Sequence, residues 1–112
     1  MGKYVDGSRT GHDVISPSNE ERALDMYELA WALVKANGAA VKLGVVTFRE
    51  YRAEGLTIHY LPKSGHLDIW YRRKVLTIDR PGGDLKVTRY IPGKDWEDKL
   101  EEAAAVKSPS KR

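Results

Sequence analysis

The sequence predicts an α+β domain: an N-terminal amphipathic helix, a four-stranded antiparallel β-meander and a C-terminal helix. Three observations predict it. Between Leu56 and Ile91 apolar or β-branched residues alternate with polar ones, in runs separated by short turn-like clusters. Before that stretch, 17–37 carries apolar residues at helical spacing, and after it Trp96, Leu100, Ala103 and Ala104 share one helical face.

Residues 1–15 are rich in Gly, Ser and charge without any period, and read as a flexible arm. A helix starts at Pro17, signalled by Ser16 as cap with Pro17 as first residue, or by Ser18 and Glu21 spaced as a capping box. Glu21, Asp25, Glu28 and Lys35 mark its polar stripe. Leu24, Tyr27, Leu29, Ala30, Trp31, Leu33 and Val34 cover the remaining circumference, and Gly38 after Asn37 stops it. In the next segment, 39–54, two signals compete. Thr47 and Glu50 have capping-box spacing, which favours a short helix ending at Gly55, whereas Val41 to Phe48 is β-branched enough for a strand. The helix after Thr47 is the favoured reading.

The four meander strands are expected at Leu56–Leu61, His66–Tyr71, Lys74–Arg80 and Leu85–Ile91. Their turns are Pro62-Lys63-Ser64-Gly65, Arg72-Arg73 and Pro81-Gly82-Gly83-Asp84. Pairing them about these turns puts the rows Ile58–Ile69–Leu76–Arg89, Tyr60–Leu67–Ile78–Val87 and Leu56–Tyr71–Lys74–Ile91 on the core face. The opposite face carries Thr57–Trp70–Val75–Tyr90, His59–Asp68–Thr77–Thr88 and Leu61–His66–Asp79–Lys86; a bulge or an odd-length loop is what would change these rows. A last helix follows Gly93 from Trp96 to Val106, capped by Asp95 and docked by its Trp. The domain therefore spans 16–106, and 107–112 is a flexible basic tail.

Of the 112 residues 41% are apolar and 31% charged, a globular composition, and there is no cysteine for a disulfide or a thiolate metal site. No secretory leader pattern and no eighteen-residue apolar run occur, so the expected location is cytoplasmic, without a membrane partner. The net charge of +3 is unevenly distributed: Lys42 to Lys94 holds eleven Lys/Arg against five Asp/Glu, a net +6. That excess points to an anionic partner.

No metalloprotease spacing, nucleophile elbow or phosphate loop supports an enzyme. His59 opposite Asp68 and His66 opposite Asp79 are the nearest approach to acid–base chemistry, the first pair being what a small hydrolase or ribonuclease would use. No metal and no cofactor is expected, because nothing completes a set of three ligands around either His. The leading expectation is a small non-enzymatic binding module for RNA or DNA. Arg52, Arg72, Arg73, Lys74 and Lys94 would hold phosphates at one end of the sheet, with Trp70 and Tyr90 as stacking platforms. The alternative is a small regulator that binds another protein through a Trp70–Val75–Tyr90 patch or the Trp96 helix.

Overall fold

A computed structural model describes residues 16–107. The expected arm at 1–15 and the tail from 108 onward lie outside these residues. The described chain is α1 (Pro17–Asn37), β1 (Ala39–Leu43), β2 (Val46–Ala53), β3 (Leu56–Leu61), β4 (His66–Tyr71), β5 (Arg73–Asp79), β6 (Lys86–Tyr90) and α2 (Lys94–Lys107). All six strands form one antiparallel meander in chain order, with a single 3-10 turn, Pro81–Gly83, between β5 and β6. The fold class is the expected one; the sheet has two strands more.

Those two strands replace the helix expected after Thr47. Along β2, Thr47, Arg49, Tyr51 and Ala53 alternate with Phe48, Glu50 and Arg52. This period puts Tyr51 opposite Ile58, where its ring is buried. The capping-box spacing yields because an unpaired β3 edge beside a β-branched segment is satisfied by a strand, which a short isolated helix would leave open. Leu43 pairs with Val46 across a two-residue turn in which Gly44 takes φ +63°.

Helix α1 begins as one of the two expected caps describes: Ser16 Oγ accepts the Asn19 N–H at 3.2 Å, and Pro17 takes the first helical position. Its polar stripe is exposed, while Ala23, Met26, Tyr27, Ala30, Leu33 and Val34 are buried. Gly38 ends the helix by close approach, since a Cβ there would meet the Val34 carbonyl oxygen at 2.4 Å. Arg49 of β2 then secures the end, its guanidinium donating to the carbonyls of Val34 (3.2 Å), Lys35 (3.3 Å) and Gly38 (2.5 Å).

Both helices lie on one face of the sheet and against each other. Their shared core contains Ile58, Leu67, Ile69, Leu76 and Ile78 from the strands, with Trp96 and Leu100 from α2. Trp96 is 2% exposed and donates its indole N–H to the Ile91 carbonyl at 2.9 Å, so α2 docks by its Trp as expected. The helix begins at Lys94, two residues earlier than expected; in its first turn Asp95 Oδ1 accepts the Trp96 N–H at 3.0 Å, and Glu97 accepts the Gly93 N–H at 3.0 Å. No helix among the described residues is long and apolar enough to cross a membrane.

Two bulges change which residues face the helices. Between β3 and β4 the register is the expected one over all six pairs. Between β4 and β5 it slips after Ile69–Leu76, so Trp70 lies opposite Lys74 and Val75 is the extra residue. Between β5 and β6 it slips after Ile78–Val87, so Thr77 lies opposite Arg89, Leu76 opposite Tyr90, and Thr88 is extra. Each slip sends an apolar residue to the core: Val75 is 3% exposed, and Tyr90 stacks edge-on against Trp96 at 6.3 Å. The first slip also tightens the expected Arg72-Arg73 turn to Arg72 alone, which adopts φ +70° between Tyr71 and Arg73.

Candidate nucleic-acid interface

The face of the sheet away from α1 and α2 is covered by no helix among the described residues. Its rows follow from the pairing. One runs Arg52–Thr57–Trp70–Lys74, the next Glu50–His59–Asp68–Thr77–Arg89, and a third starts at Val41 and Phe48. Strand β2, where the sequence favours a helix, supplies a member of all three: Arg52, Glu50 and Phe48.

Ring contacts and ion pairs hold this face in place. His59 packs against Phe48 on one side (centroids 4.7 Å) and edge-on against Trp70 on the other (4.8 Å). Its Nε2 lies 2.7 Å from Glu50, not on Asp68, because the carboxylate of the neighbouring β2 is within reach. That bond, and the Arg52 guanidinium 3.2 Å from the same oxygen, hold the Glu50 carboxyl below its ordinary range against the opposing effect of burial. The His59/Asp68 pair expected of a hydrolase is therefore not formed, although the two residues are opposite in the register.

Asp68 belongs instead to His66. The His66 ring is held between two carboxylates, Nε2 on Asp68 at 2.8 Å and Nδ1 on Asp79. Partial burial lowers its pKa, but the hydrogen bonds to Asp79 and Asp68 outweigh burial and raise it above the ordinary histidine value. Asp68 also accepts the Thr77 hydroxyl at 2.7 Å and faces the Lys74 ammonium at 3.8 Å. A carboxylate on each nitrogen favours the cationic form of the ring, and to act as a general base it would first have to surrender one of these bonds.

The expected site residues separate into three groups. Arg52, Trp70 and Lys74 share one row, with the Lys74 ammonium 5.3 Å from the Trp70 ring centroid. Lys74 was expected on the core face and is on the open one, because the Val75 bulge turned it over. Arg72 and Arg73 flank the row at the adjoining turn, both exposed. Neither makes an ion pair among the described residues, and the Arg72 guanidinium rests 5.2 Å from the Tyr71 ring. With Asp95 and Trp96 they line a shallow cavity of about 230 Å³ against the start of α2, where Lys94 is exposed and paired to Asp98 at 2.9 Å. Tyr90 is the exception. It lies on the helix side, its hydroxyl donating to Glu97 at 2.8 Å, and no longer neighbours Trp70. Burial and that carboxylate push its phenol up to about 12.

Arg89 is the residue the sequence reading missed. It was assigned to the core row of Ile58, Ile69 and Leu76, where an arginine is out of place. That misplaced charge was the signal for a bulge in β6. No family model, curated protein or solved structure matches this chain.

Proposed function

We propose that the open face of the sheet binds single-stranded nucleic acid, without catalysis. Phosphates are held by Arg52, Lys74 and Arg89 on the face and by Arg72 and Arg73 at its end, and a base stacks on Trp70. The observation that supports this best is the exchange made by the two bulges. Each removes an apolar residue from the open face (Val75, Tyr90) and brings a basic one onto it (Lys74, Arg89). The Trp70–Val75–Tyr90 surface on which the protein-binding alternative rested is not assembled, since Val75 is buried and Trp70 lies opposite Lys74. Nor is the Trp96 surface of α2 open, since its indole is in the core.

The test is a titration of the chain with single-stranded RNA and DNA oligonucleotides at about 50 mM salt, repeated at rising salt. Affinity should fall on a log–log plot by roughly 0.7 for each phosphate held. Trp70→Ala should cost about 1–3 kcal/mol of binding, and an Arg72→Glu/Arg73→Glu variant should lose it. Folded variants that bind as the parent does, or a parent that binds neither polymer, would sink the proposal.

A further inference from the structure

Strand β1 is one edge of the sheet, and four of its five residues are exposed. Edge strands are commonly blunted by charged side chains, lysine above all, by a proline, by a bulge or by a covering segment. Here β1 has no proline, runs in unbroken register with β2 over all five residues, and carries a single charge, Lys42. Its hairpin tip is apolar and solvent-facing, with Leu43, Val45 and Val46 exposed by 71%, 99% and 45%.

We propose that β1 pairs antiparallel with β1 of a second copy, about a two-fold axis through Val41, joining the two sheets into one of twelve strands. The strand is self-complementary only in that register. Centred on Lys42, it would set two ammonium groups directly opposite each other. Centred on Ala40, it would run into Gly38, whose N–H is given to Val34 and whose carbonyl is taken by Arg49. Centred on Val41, all five residues pair. Val41 meets the partner's Val41, Ala39 meets the partner's Leu43, and Ala40 meets the partner's Lys42. Large side chains then face small ones, and the lone cation faces an alanine.

The same axis keeps both open faces on one side of the joined sheet. Val41 of each copy then meets its counterpart across the new seam, and Leu43 covers the partner's Ala39, beside Phe48 and Val46 of their own β2. The exposed Val45 is carried past the partner's Ala39 toward the end of its α1. Apolar area that now faces water is thereby covered without disturbing either helix layer. None of this depends on what the open face binds.

Sedimentation of the full chain at concentrations up to about 1 mM, where even weak association is visible, should show the mass doubling. Val41→Lys, which sets two ammonium groups against each other at the axis, should return it to monomer, and Lys42→Ala should leave the dimer intact. Because the chain has no cysteine, single substitutions report the register directly. Val41→Cys should cross-link to a disulfide dimer under mild oxidation, while Lys42→Cys, facing alanine, stays mostly as thiol. The cysteine pair decides the matter even where Val41→Lys fails to fold. A monomer throughout, a dimer that survives Val41→Lys, or Lys42→Cys cross-linking as fast as Val41→Cys would overturn the proposal.

Discussion

Glu97 is a buried carboxylate that stays in the protein because three donors converge on it. Arg22 Nε reaches it from α1 at 2.7 Å, Tyr90 from β6 at 2.8 Å and the Gly93 N–H from its own helix start at 3.0 Å. A second carboxylate, Glu101, takes the other side of the Arg22 guanidinium at 2.9 Å, and the two together push its pKa further up. Glu97→Ala leaves a phenol and a backbone N–H without partners and loosens α1 from α2. Breaking a buried pair costs about 3–5 kcal/mol, and the half-exposed Arg22 places this case at the lower end. Urea unfolding should therefore show a loss of about 3 kcal/mol; a change under about 0.5 kcal/mol would mean that the convergence contributes little. His66 makes a pH-dependent contribution. Its folded pKa is raised above the ordinary 6.5, so its stabilising effect is full below that value and is lost as pH rises through the folded pKa. The stability difference between the parent and His66→Asn should shrink as pH is raised from about 6 to 9. A difference that grows over that window contradicts the clamp.

At the scale of elements, close approach rather than conformational freedom explains why α1 ends in glycine. Gly38 has φ −80°, which any residue adopts, yet a Cβ would meet Val34 O at 2.4 Å and Val34 Cγ2 at 2.8 Å. Gly38→Ala should cost about 1–3 kcal/mol, as overpacking does, in thermal or urea unfolding. An unchanged midpoint would mean that the β1 backbone moves aside freely. The same distinction between local and tertiary causes runs through what was legible in the sequence. Helix α1, the docking Trp96, strands β3 and β4 and their full register follow from period, caps and turn residues, which are local. Strand β2 was not legible, because the Thr47–Glu50 spacing of a capping box also fits a strand; only the unpaired edge of β3, a tertiary fact, decides between them. The bulges at Val75 and Thr88 were not legible either. Strict alternation assumes one residue for one, and what breaks it is the room beside Trp96 for Val75 and Tyr90. Of the candidate site, Arg52, Trp70, Arg72 and Arg73 lie near the end of the sheet to which turn position assigns them. Lys74 lies on the face opposite to the expected one, Tyr90 packs on the helix side, and Arg89 lies on the open face instead of the core row.

Over the whole molecule, the two helices and the inner strands form one packed layer pair, while β1 stands outside it. The fully buried side chains of the sheet, Leu56, Ile58, Leu67, Ile69, Leu76 and Ile78, come from β3, β4 and β5. None comes from β1, whose pairing with β2 is its main connection to the rest of the fold. Amide exchange separates these regions, because an amide is protected by the cheapest opening that exposes it. For β4, flanked on both sides and backed by the helices, that opening is global unfolding. For β1 it is the release of one edge strand, which exposes no core side chain. In dilute monomer the β1 amides should therefore exchange far faster than those of β4, whose protection should match the global stability from urea unfolding. Raising the protein concentration should slow exchange in β1 selectively if two copies meet there, and should leave β4 unchanged apart from the gain in global stability. Equal protection of β1 and β4 at low concentration would show that the edge opens only with the core, and that the division into a packed sandwich and an outlying strand does not describe how this protein unfolds.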